Sequence, residues 1–348
     1  MSSIDDTQYQ LSPVGHPIAE TLGIDDGGNG IEIRGFQDVS HPRVPRKKSG
    51  YVFRKDHVRD LRAWLQNPEG DGLMLCGPMG SGKSSIITQL AARTNWPVFE
   101  VTGNARKEFA DLQGHHSLVN GAMTYVYGPL ALAAKYGGLF VLNEADRMDP
   151  GELAGLHGVL DGEPLMIAEN GGEVIPLHPE FRVILTGNSN GQGDDSGLYQ
   201  SVVQQDAAFM DRFRVLDVDY PAPEIEKSIL DNGVPGLPQQ MRDRMVDVAN
   251  EVRRVFTGGG DNGYDLTVTF STRTLMRWAS MLMQFRSAPN APEYTLQRAL
   301  LNRAPASEAE AIRKIAQARF GDLWNPGQSP SNGGKKQGQS KQTGKAKS

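Results

Sequence analysis

Between residues 72 and 220, short apolar runs alternate with segments that have a helical period. The apolar runs lie at 72–76, 97–101, 139–142, 181–186 and 215–220. The helix-like segments lie at 83–93, 129–136, 151–160 and 202–211. Strands that alternate with helices are typical of a parallel sheet with helical crossovers. The pattern therefore predicts an α/β domain with a parallel sheet over residues 51–221, opened by a helix at 56–66.

Two stretches interrupt this alternation. Residues 111–127 contain glycine and end in an alternating apolar–polar pattern, which is typical of a strand. Residues 164–177 are two apolar runs around an Asn-Gly-Gly turn, which is the pattern of a β-hairpin. The sequence therefore predicts two β-hairpin-type inserts in the sheet domain, with helices on both faces of the sheet.

The regions on either side differ from the sheet domain. Residues 222–322 are mostly helical in pattern and predict a lid domain; its candidate helices lie at 238–256, 272–286, 293–303 and 307–319. Residues 1–50 lack a sustained period and predict an N-terminal extension and linker. Residues 323–348 are rich in Gly, Ser, Gln and Lys, and predict a disordered, Lys-rich tail.

The strongest chemical signal is Gly77-Pro-Met-Gly-Ser-Gly-Lys-Ser84, which fits G-x-x-x-x-G-K-[ST] between a predicted strand and a predicted helix. Glycines let backbone N–H groups turn inward around a phosphate, and the helix N-terminus adds partial positive charge. Lys83 is expected to reach the β- and γ-phosphates, and the Ser84 hydroxyl to bind Mg²⁺. The predicted ATP-binding residues are Gly77, Pro78, Met79, Gly80, Ser81, Gly82, Lys83, Ser84 and Ser85.

An acidic residue follows the apolar run at 139–142, as a phosphate-binding loop requires. Glu144 is predicted to be the general base that polarises the attacking water. Asn143 precedes it, where an Asp would hold the Mg²⁺ shell, and an amide keeps an acceptor oxygen but loses the charge. ATP binding should survive this change, and the hydrolysis rate stays open. Asn143→Asp should then tighten Mg²⁺ binding. The competing idea is that the Asn143 NH₂ donates to a neighbour and that an Asp at this position would repel Glu144 and slow turnover.

Three further polar residues are candidates for the γ-phosphate. Asn188 ends the run at 181–186 and is predicted to contact the γ-phosphate or the water; Asn190 is the near alternative. Arg212 comes just before the last predicted strand and could reach a neighbouring subunit's γ-phosphate, with Arg214 as the second choice. Arg273 stands in the first turn of a predicted lid helix. The competing interpretations are a turn asparagine and surface ion pairs.

Taken together, these residues resemble the AAA+ ATPases, and the two inserts resemble the MoxR group within them. The stretch Gly191-Gln-Gly-Asp-Asp-Ser-Gly-Leu-Tyr199, followed by Met210-Asp-Arg212, is similar to the small AAA+ (CobS) subunits of aerobic cobaltochelatases. This resemblance covers roughly residues 20–322 and includes Ser271-Thr-Arg-Thr-Leu275. It implies ATP and Mg²⁺ as ligands, a hexameric ring, and a partner protein with a von Willebrand A domain. The sequence departs from the family at Asn143 and in its lysine-rich tail.

The composition limits the kinds of partner and the cell compartment that fit this chain. The 348 residues carry a formal charge of −5, which argues against a chain that coats nucleic acid, although five lysines are concentrated in residues 333–348. No apolar run approaches a membrane span, and residues 1–10 do not have the pattern of a signal peptide. A single cysteine, Cys76, excludes an internal disulfide framework and fits a cytoplasmic protein. The adjacent pair His115 and His116 is more typical of a solvated loop than of a metal site.

Three functions remain open from the sequence. The first is a Mg²⁺-dependent AAA+ ATPase whose ring remodels or activates a partner, with a cobaltochelatase-type motor as one such role. The second is an ATP-dependent ring that serves as a scaffold or switch with very slow hydrolysis. The third, less favoured, is a nucleic-acid-associated ATPase that uses the hairpin at 164–177 and the basic tail.

Overall fold

The computed structural model describes residues 9–38, 40–119, 121–193, 202–257 and 266–324. Its strands are β1 (Pro13–Pro17), β2 (Glu32–Phe36), β3 (Gly72–Cys76), β4 (Val98–Thr102), β5 (Gly114–Val119), β6 (Ala122–Tyr127), β7 (Gly138–Asn143), β8 (Leu165–Ile167), β9 (Glu173–Ile175), β10 (Phe181–Thr186) and β11 (Phe213–Asp217). Its α-helices are α1 (Ile18–Leu22), α2 (Lys55–Gln66), α3 (Lys83–Thr94), α4 (Phe109–Gln113), α5 (Pro129–Tyr136), α6 (Pro150–Leu153), α7 (His157–Leu160), α8 (Ala207–Met210), α9 (Pro223–Gly233), α10 (Gln239–Phe256), α11 (Thr272–Gln284), α12 (Ala291–Ala299) and α13 (Ala306–Phe320).

A five-stranded parallel sheet forms the centre of the α/β half, in the order β11-β3-β10-β7-β4. Every residue of β3 and of β7 is buried, which explains why the sequences of both strands are nearly continuous apolar runs. The predicted α/β class is therefore confirmed. Because all five strands run the same way, the loops that follow β3, β7 and β10 meet at one edge of the sheet.

The predicted bounds of the last strand of the sheet and of the helix before it are wrong. The strand expected at 215–220 is β11, and it begins earlier because Phe213 and Arg214 already pair with Gly72 and Leu73 of β3. Of the helix expected at 202–211, only α8 is helical. The Asp206 side chain caps this short helix by accepting a hydrogen bond from the Ala208 N–H. The GxGDxxGLY stretch lies largely outside the described residues.

The N-terminal extension is folded onto the sheet domain. β1 and β2 form an antiparallel pair, and Ile18, Leu22, Ile33 and Phe36 are buried in one apolar cluster with residues of α2 and α3. Its elements are five residues long, which is too short to show a sustained period. The connector that follows lies against the domain as well, because the Lys48 N–H donates to Gln89 Oε1 at 2.7 Å.

Both predicted hairpin inserts are present. β5 pairs antiparallel with β6, and β8 pairs antiparallel with β9. The two hairpins contact each other, since His116 Nε2 lies 2.9 Å from the Glu169 carbonyl. Gln113, at the end of α4, adds a second link, because its Nε2 donates to the Met166 carbonyl at 2.8 Å. His116 therefore bonds the neighbouring hairpin.

The C-terminal part is helical, with α10, α11 and α13 around one apolar core. This core extends to Trp324, which is 3% exposed and lies just past the predicted boundary of the lid. The sequence did not identify α9 as a helix. The reason is that it buries only Glu226 and Leu230, so its apolar period is weak. Among the described residues, no helix is long and apolar enough to span a bilayer.

Candidate functional site

The glycine-rich loop joins β3 to α3 and has the backbone geometry that the motif requires. Gly77 and Gly80 have φ angles of +139° and +77°, a region that side chains disfavour. A Cβ at Gly77 would lie 2.3 Å from the Val218 carbonyl oxygen, and one at Gly80 would lie 2.5 Å from Ser271 Cβ. The loop is therefore held tightly between β11 and the start of α11, and only glycine fits at these two turns.

Lys83 begins α3 and turns its side chain back into the loop. Its Nζ donates to the carbonyls of Gly77 at 2.5 Å and Pro78 at 3.0 Å, and to Asn188 Oδ1 at 3.1 Å. Burial lowers the pKa of Lys83 to about 8, and the nearby Asp146 carboxylate opposes part of that shift. The loop thus surrounds a partly desolvated ammonium. An anion bound in the loop would be attracted to this ammonium more strongly than to one in bulk water.

Asn143 ends β7 beside the first turn of α3. Its Oδ1 accepts from Ser84 Oγ at 2.6 Å and from Thr186 Oγ1 at 3.1 Å. Its Nδ2 donates to Glu100 Oε1 on the adjacent strand β4, at 2.5 Å. These three contacts determine which way the amide faces, because two hydroxyl donors meet the oxygen and a carboxylate meets the nitrogen.

Glu144 follows Asn143 in a left-handed backbone conformation, with φ of +54°. Its N–H donates to Thr186 Oγ1 at 3.2 Å, and its carboxylate pairs with Arg147 Nη1 at 2.8 Å. A residue other than glycine at positive φ is uncommon and often marks a functional turn. The turn directs Glu144 away from the strand at the same edge of the sheet as the glycine-rich loop.

Asp146 connects this turn to the end of β10. It is fully buried, and its Oδ2 accepts from the N–H groups of Asn188 at 2.5 Å and Ser189 at 3.3 Å. Burial raises the pKa of Asp146, and these N–H donors oppose the shift. Through them Asp146 places Asn188, whose side chain contacts Lys83, whereas Asn190 is exposed. Of the two predicted asparagines, Asn188 is thus the one at the loop.

A cleft of about 200 Å³ lies between the glycine-rich loop, the 48–52 connector and helices α9 and α11. Arg273 lines this cleft together with Gly80, Ser81 and Gly82, and its side chain is exposed. Tyr220 also bridges the loop and the helical part, because its hydroxyl donates to the Met79 carbonyl at 3.0 Å. The structure therefore brings Arg273 to the same site as the loop.

The structure does not bring Arg212 to this site. Arg212 precedes β11, at the amino ends of the strands, and its guanidinium forms two contacts with the Asp161 carboxylate at 2.8 and 2.9 Å. Arg214 likewise pairs with Asp71 at 2.8 Å. Within one chain both arginines are engaged in ion pairs at the edge opposite the loop.

The oxygen atoms around Asn143 fit a magnesium ion bound together with a nucleotide. Hydroxyl, amide and carboxylate oxygens are the ligands that Mg²⁺ prefers, and it commonly uses one or two protein ligands plus phosphate oxygens. Ser84 Oγ and Asn143 Oδ1 supply such a pair, and Glu100 places a carboxylate next to it. Within the described ranges, no group of three or more His, Cys, Asp or Glu side chains could hold a metal ion.

Several residues of the site were not identified from the sequence: Glu100, Asp146, Thr186 and Tyr220. A signal existed for one of them. Glu100 is a charged residue inside the apolar run at 97–101, near the carboxyl end of a predicted strand. Thr186 and Tyr220 carried no comparable signal, because their roles come from contacts between distant elements.

Two protein families match the chain. The AAA domain (dynein-related subfamily) matches residues 72–213, and the CbbQ/NirQ/NorQ C-terminal domain matches residues 226–319. Together they cover the sheet domain and the helical region described above.

Whole-protein relatives agree with these matches. The aerobic cobaltochelatase subunit CobS of Sinorhizobium sp is 27% identical over 335 residues, covering 92% of this chain and 95% of the relative. Protein CbbQ of Hydrogenophilus thermoluteolus is 30% identical, covering 60% and 73%. Protein NorQ of Paracoccus denitrificans is 27% identical, covering 72% and 86%. The resemblance predicted from the motifs is confirmed, and the chain belongs to the MoxR-type AAA+ ATPases, the family of CobS, CbbQ, NirQ and NorQ.

Proposed function

We propose that this chain is a Mg²⁺-dependent ATP hydrolase whose subunits form a hexameric ring that remodels or activates a partner protein. The observation that carries the proposal is the convergence of Lys83, Ser84, Glu144 and Asn188 at the carboxyl edge of the parallel sheet, beside a cleft bounded by the lid. Family membership supports ATPase activity in general.

The residues divide the chemistry among them. Backbone N–H groups of the loop and the Lys83 ammonium would bind the β- and γ-phosphates, and Ser84 and Asn143 would hold Mg²⁺. When bound, Mg²⁺ neutralises phosphate charge. Glu144 would orient the attacking water and accept its proton, for which its carboxylate must keep one oxygen free of Arg147. Asn188 and Arg273 would contact the γ-phosphate.

Arg212 would complete the site from the next subunit. In one chain it lies at the amino ends of the strands, paired with Asp161, so it can reach a phosphate only across an interface. There it would stabilise the charge that develops during phosphoryl transfer. Its pairing with Asp161 would have to break, or be shared, when the ring forms.

The partner is proposed from the relatives. The similarity to CobS runs over 95% of that protein, which supports a cobaltochelatase-type motor subunit. The family resemblance of the motifs is the ground for proposing a von Willebrand A-domain protein as its partner. Similarity to the denitrification regulatory protein NirQ supports a role in regulating another protein. The proposed role is therefore mechanical work on a partner rather than chemistry on a small substrate.

A second function is favoured by two local observations. Asn143 stands where a carboxylate would strengthen the Mg²⁺ shell, and the Glu144 carboxylate is engaged by Arg147. Both features would slow hydrolysis, so the ring could serve as an ATP-dependent scaffold or switch.

One experiment separates these functions. Phosphate release and particle mass are measured with Mg²⁺·ATP, for the parent protein and for Glu144→Gln. Turnover by an assembled ring, lost in Glu144→Gln, supports the motor. Assembly with ATP but no release in the parent supports the scaffold. A protein that neither assembles nor hydrolyses ATP contradicts the proposal.

A further inference from the structure

The Asn143 amide is held between donors on one side and an acceptor on the other. Ser84 Oγ and Thr186 Oγ1 both donate to its Oδ1, and its Nδ2 donates to Glu100 Oε1 at 2.5 Å. Glu100 therefore lies one amide group away from the Ser84 hydroxyl. It stands on β4, the edge strand that pairs with β7, and its side chain is exposed.

Only an amide satisfies this arrangement while Glu100 is ionised. A carboxylate at position 143 could still accept from Ser84 and Thr186, but it would have no hydrogen to offer Glu100. Two carboxylates would then meet at hydrogen-bond distance, where like charges repel strongly or one must take up a proton. The Asn143–Glu100 pair holds one negative charge, the same total as an aspartate at position 143 beside a neutral residue would hold.

We propose that Glu100 is a positioning residue that supplies, through Asn143, the negative charge of the Mg²⁺ shell. The inference rests on the proposed function, because it concerns Mg²⁺ bound with ATP. Glu100 keeps the amide oxygen facing the Ser84 hydroxyl, and its own charge attracts the ion from one hydrogen bond further out. The amide at 143 is thus the partner of an acid that stands on the next strand.

This arrangement reverses the simplest expectation from the sequence. Asn143→Asp alone adds a charge, and with a neutral neighbour it should tighten Mg²⁺ binding. Beside Glu100 the added charge meets a like charge at the point where Asn143 now donates. The single substitution should therefore fail to improve Mg²⁺ binding over the parent. Asn143→Asp should strengthen Mg²⁺ binding only in a protein that already carries Glu100→Gln.

The test is a charge exchange over four proteins: the parent, Glu100→Gln, Asn143→Asp, and the double variant. Calorimetry measures the affinity of the non-hydrolysable β,γ-imido analogue of ATP with and without Mg²⁺, and the ratio of the two affinities is the readout. Because this is a binding measurement, it does not depend on turnover. Glu310→Gln, which removes an exposed acid on α13, is the matched control.

We expect Glu100→Gln to reduce the Mg²⁺-dependent gain in affinity about three- to tenfold, since a charge adjacent to the ion is lost. Asn143→Asp should give no gain over the parent. The double variant should return to within about twofold of the parent. It keeps one negative charge and one amide, with the charge now at position 143 and the amide at position 100. Glu310→Gln should leave the ratio unchanged. A merely structural role for Glu100 would not produce rescue by the second substitution.

Two results overturn the inference. One is an unchanged Mg²⁺ response in Glu100→Gln while the parent responds to Mg²⁺, and the other is a double variant no better than the weaker single variant. Both leave the proposed function standing. A parent protein that binds no nucleotide, with or without Mg²⁺, overturns the proposed function and this inference together.

Discussion

The two ends of the parallel sheet differ in what a single chain can complete. At the carboxyl end, Lys83 donates to Asn188 and Ser84 donates to Asn143. Asp146 holds the Asn188 backbone in place by accepting from its N–H. At the amino end, Arg212 pairs with Asp161 and has no contact with the loop among the described residues. One end holds the residues of the proposed nucleotide site already in contact within one chain, and the other holds a cation that would need a second subunit to act on a phosphate.

The difference shows how topology distributes function in this fold. Parallel strands bring their carboxyl ends together, so residues from β3, β7 and β10 meet without any further device. Their amino ends meet at the opposite edge, and a residue there lies far from the chain's own glycine-rich loop. Substitutions at the two ends should therefore have different consequences. Those at the carboxyl end should impair binding or turnover in the chain's own site, and those at the amino end should impair only turnover, at the site of a neighbouring subunit.

Lys83→Ala should remove nucleotide binding, because the ammonium is the one charged group donating into the loop in the described structure. We expect affinity for ATP to fall by at least about 100-fold, as for loss of a buried charge-assisted contact. Calorimetry measures the affinity, and circular dichroism checks that the chain stays folded. Lys314→Ala, on the exposed side of α13, is the control. Unchanged affinity in a folded Lys83→Ala protein would show that the carboxyl end is not the nucleotide site.

Glu144→Gln should keep ATP bound and stop turnover. The amide can still accept a hydrogen bond from water but cannot take its proton, so the rate should fall by about 10²- to 10⁴-fold. Phosphate release and ATP affinity are measured side by side, with Glu310→Gln as the charge control. Hydrolysis at the parent rate would exclude Glu144 as the base.

Arg212→Ala should bind ATP normally and hydrolyse it slowly, by a factor of about 10² to 10³, as for loss of one transition-state donor. The test is mixing: inactive Arg212→Ala and inactive Glu144→Gln subunits should recover activity together, because some interfaces then carry both intact groups. Asp161→Asn, which weakens the ion pair that holds Arg212, should keep turnover. Absence of recovery in rings proven to contain both variants would restrict the amino end to a structural role.

Tyr220→Phe should produce the mildest change of the four. It removes the hydroxyl that donates to the Met79 carbonyl but keeps the ring beneath the Arg253 guanidinium, which lies 4.2 Å from its centre. Loss of one such hydrogen bond costs about 0.5–1.5 kcal/mol, or about two- to tenfold in ATP affinity, with kcat unchanged. Tyr220→Leu should cost more, because it also removes the ring. A change in kcat with unchanged KM would mean that Tyr220 acts on the chemistry rather than on the loop.

Much of this molecule could be predicted from short-range patterns. The strands β3 and β10 and the helix α5 have the predicted bounds, because a buried parallel strand, or a helix that begins at a proline and ends before a glycine, leaves a local signature in the sequence. The extension was less visible, since β1, α1 and β2 are each five residues long and are stabilised by packing on α2 and α3. The helix α9 was missed for the same reason, because its contribution to the core is small.

Local sequence was enough to establish the family, the α/β class, the glycine-rich loop and the order of its polar partners along the chain, because each depends on residues close together in the sequence. Which partners meet was settled by the folded chain. Glu100 and Asn143 are 43 positions apart, and the register of β4 against β7, which pairs Asn143 with Thr102 and Glu100 with Val141, leaves their side chains close enough to bond. Arg212 and Asp161, 51 positions apart, pair because α8 and the end of α7 pack together. Such contacts arise from sheet register and packing between elements, which no local pattern of residues records.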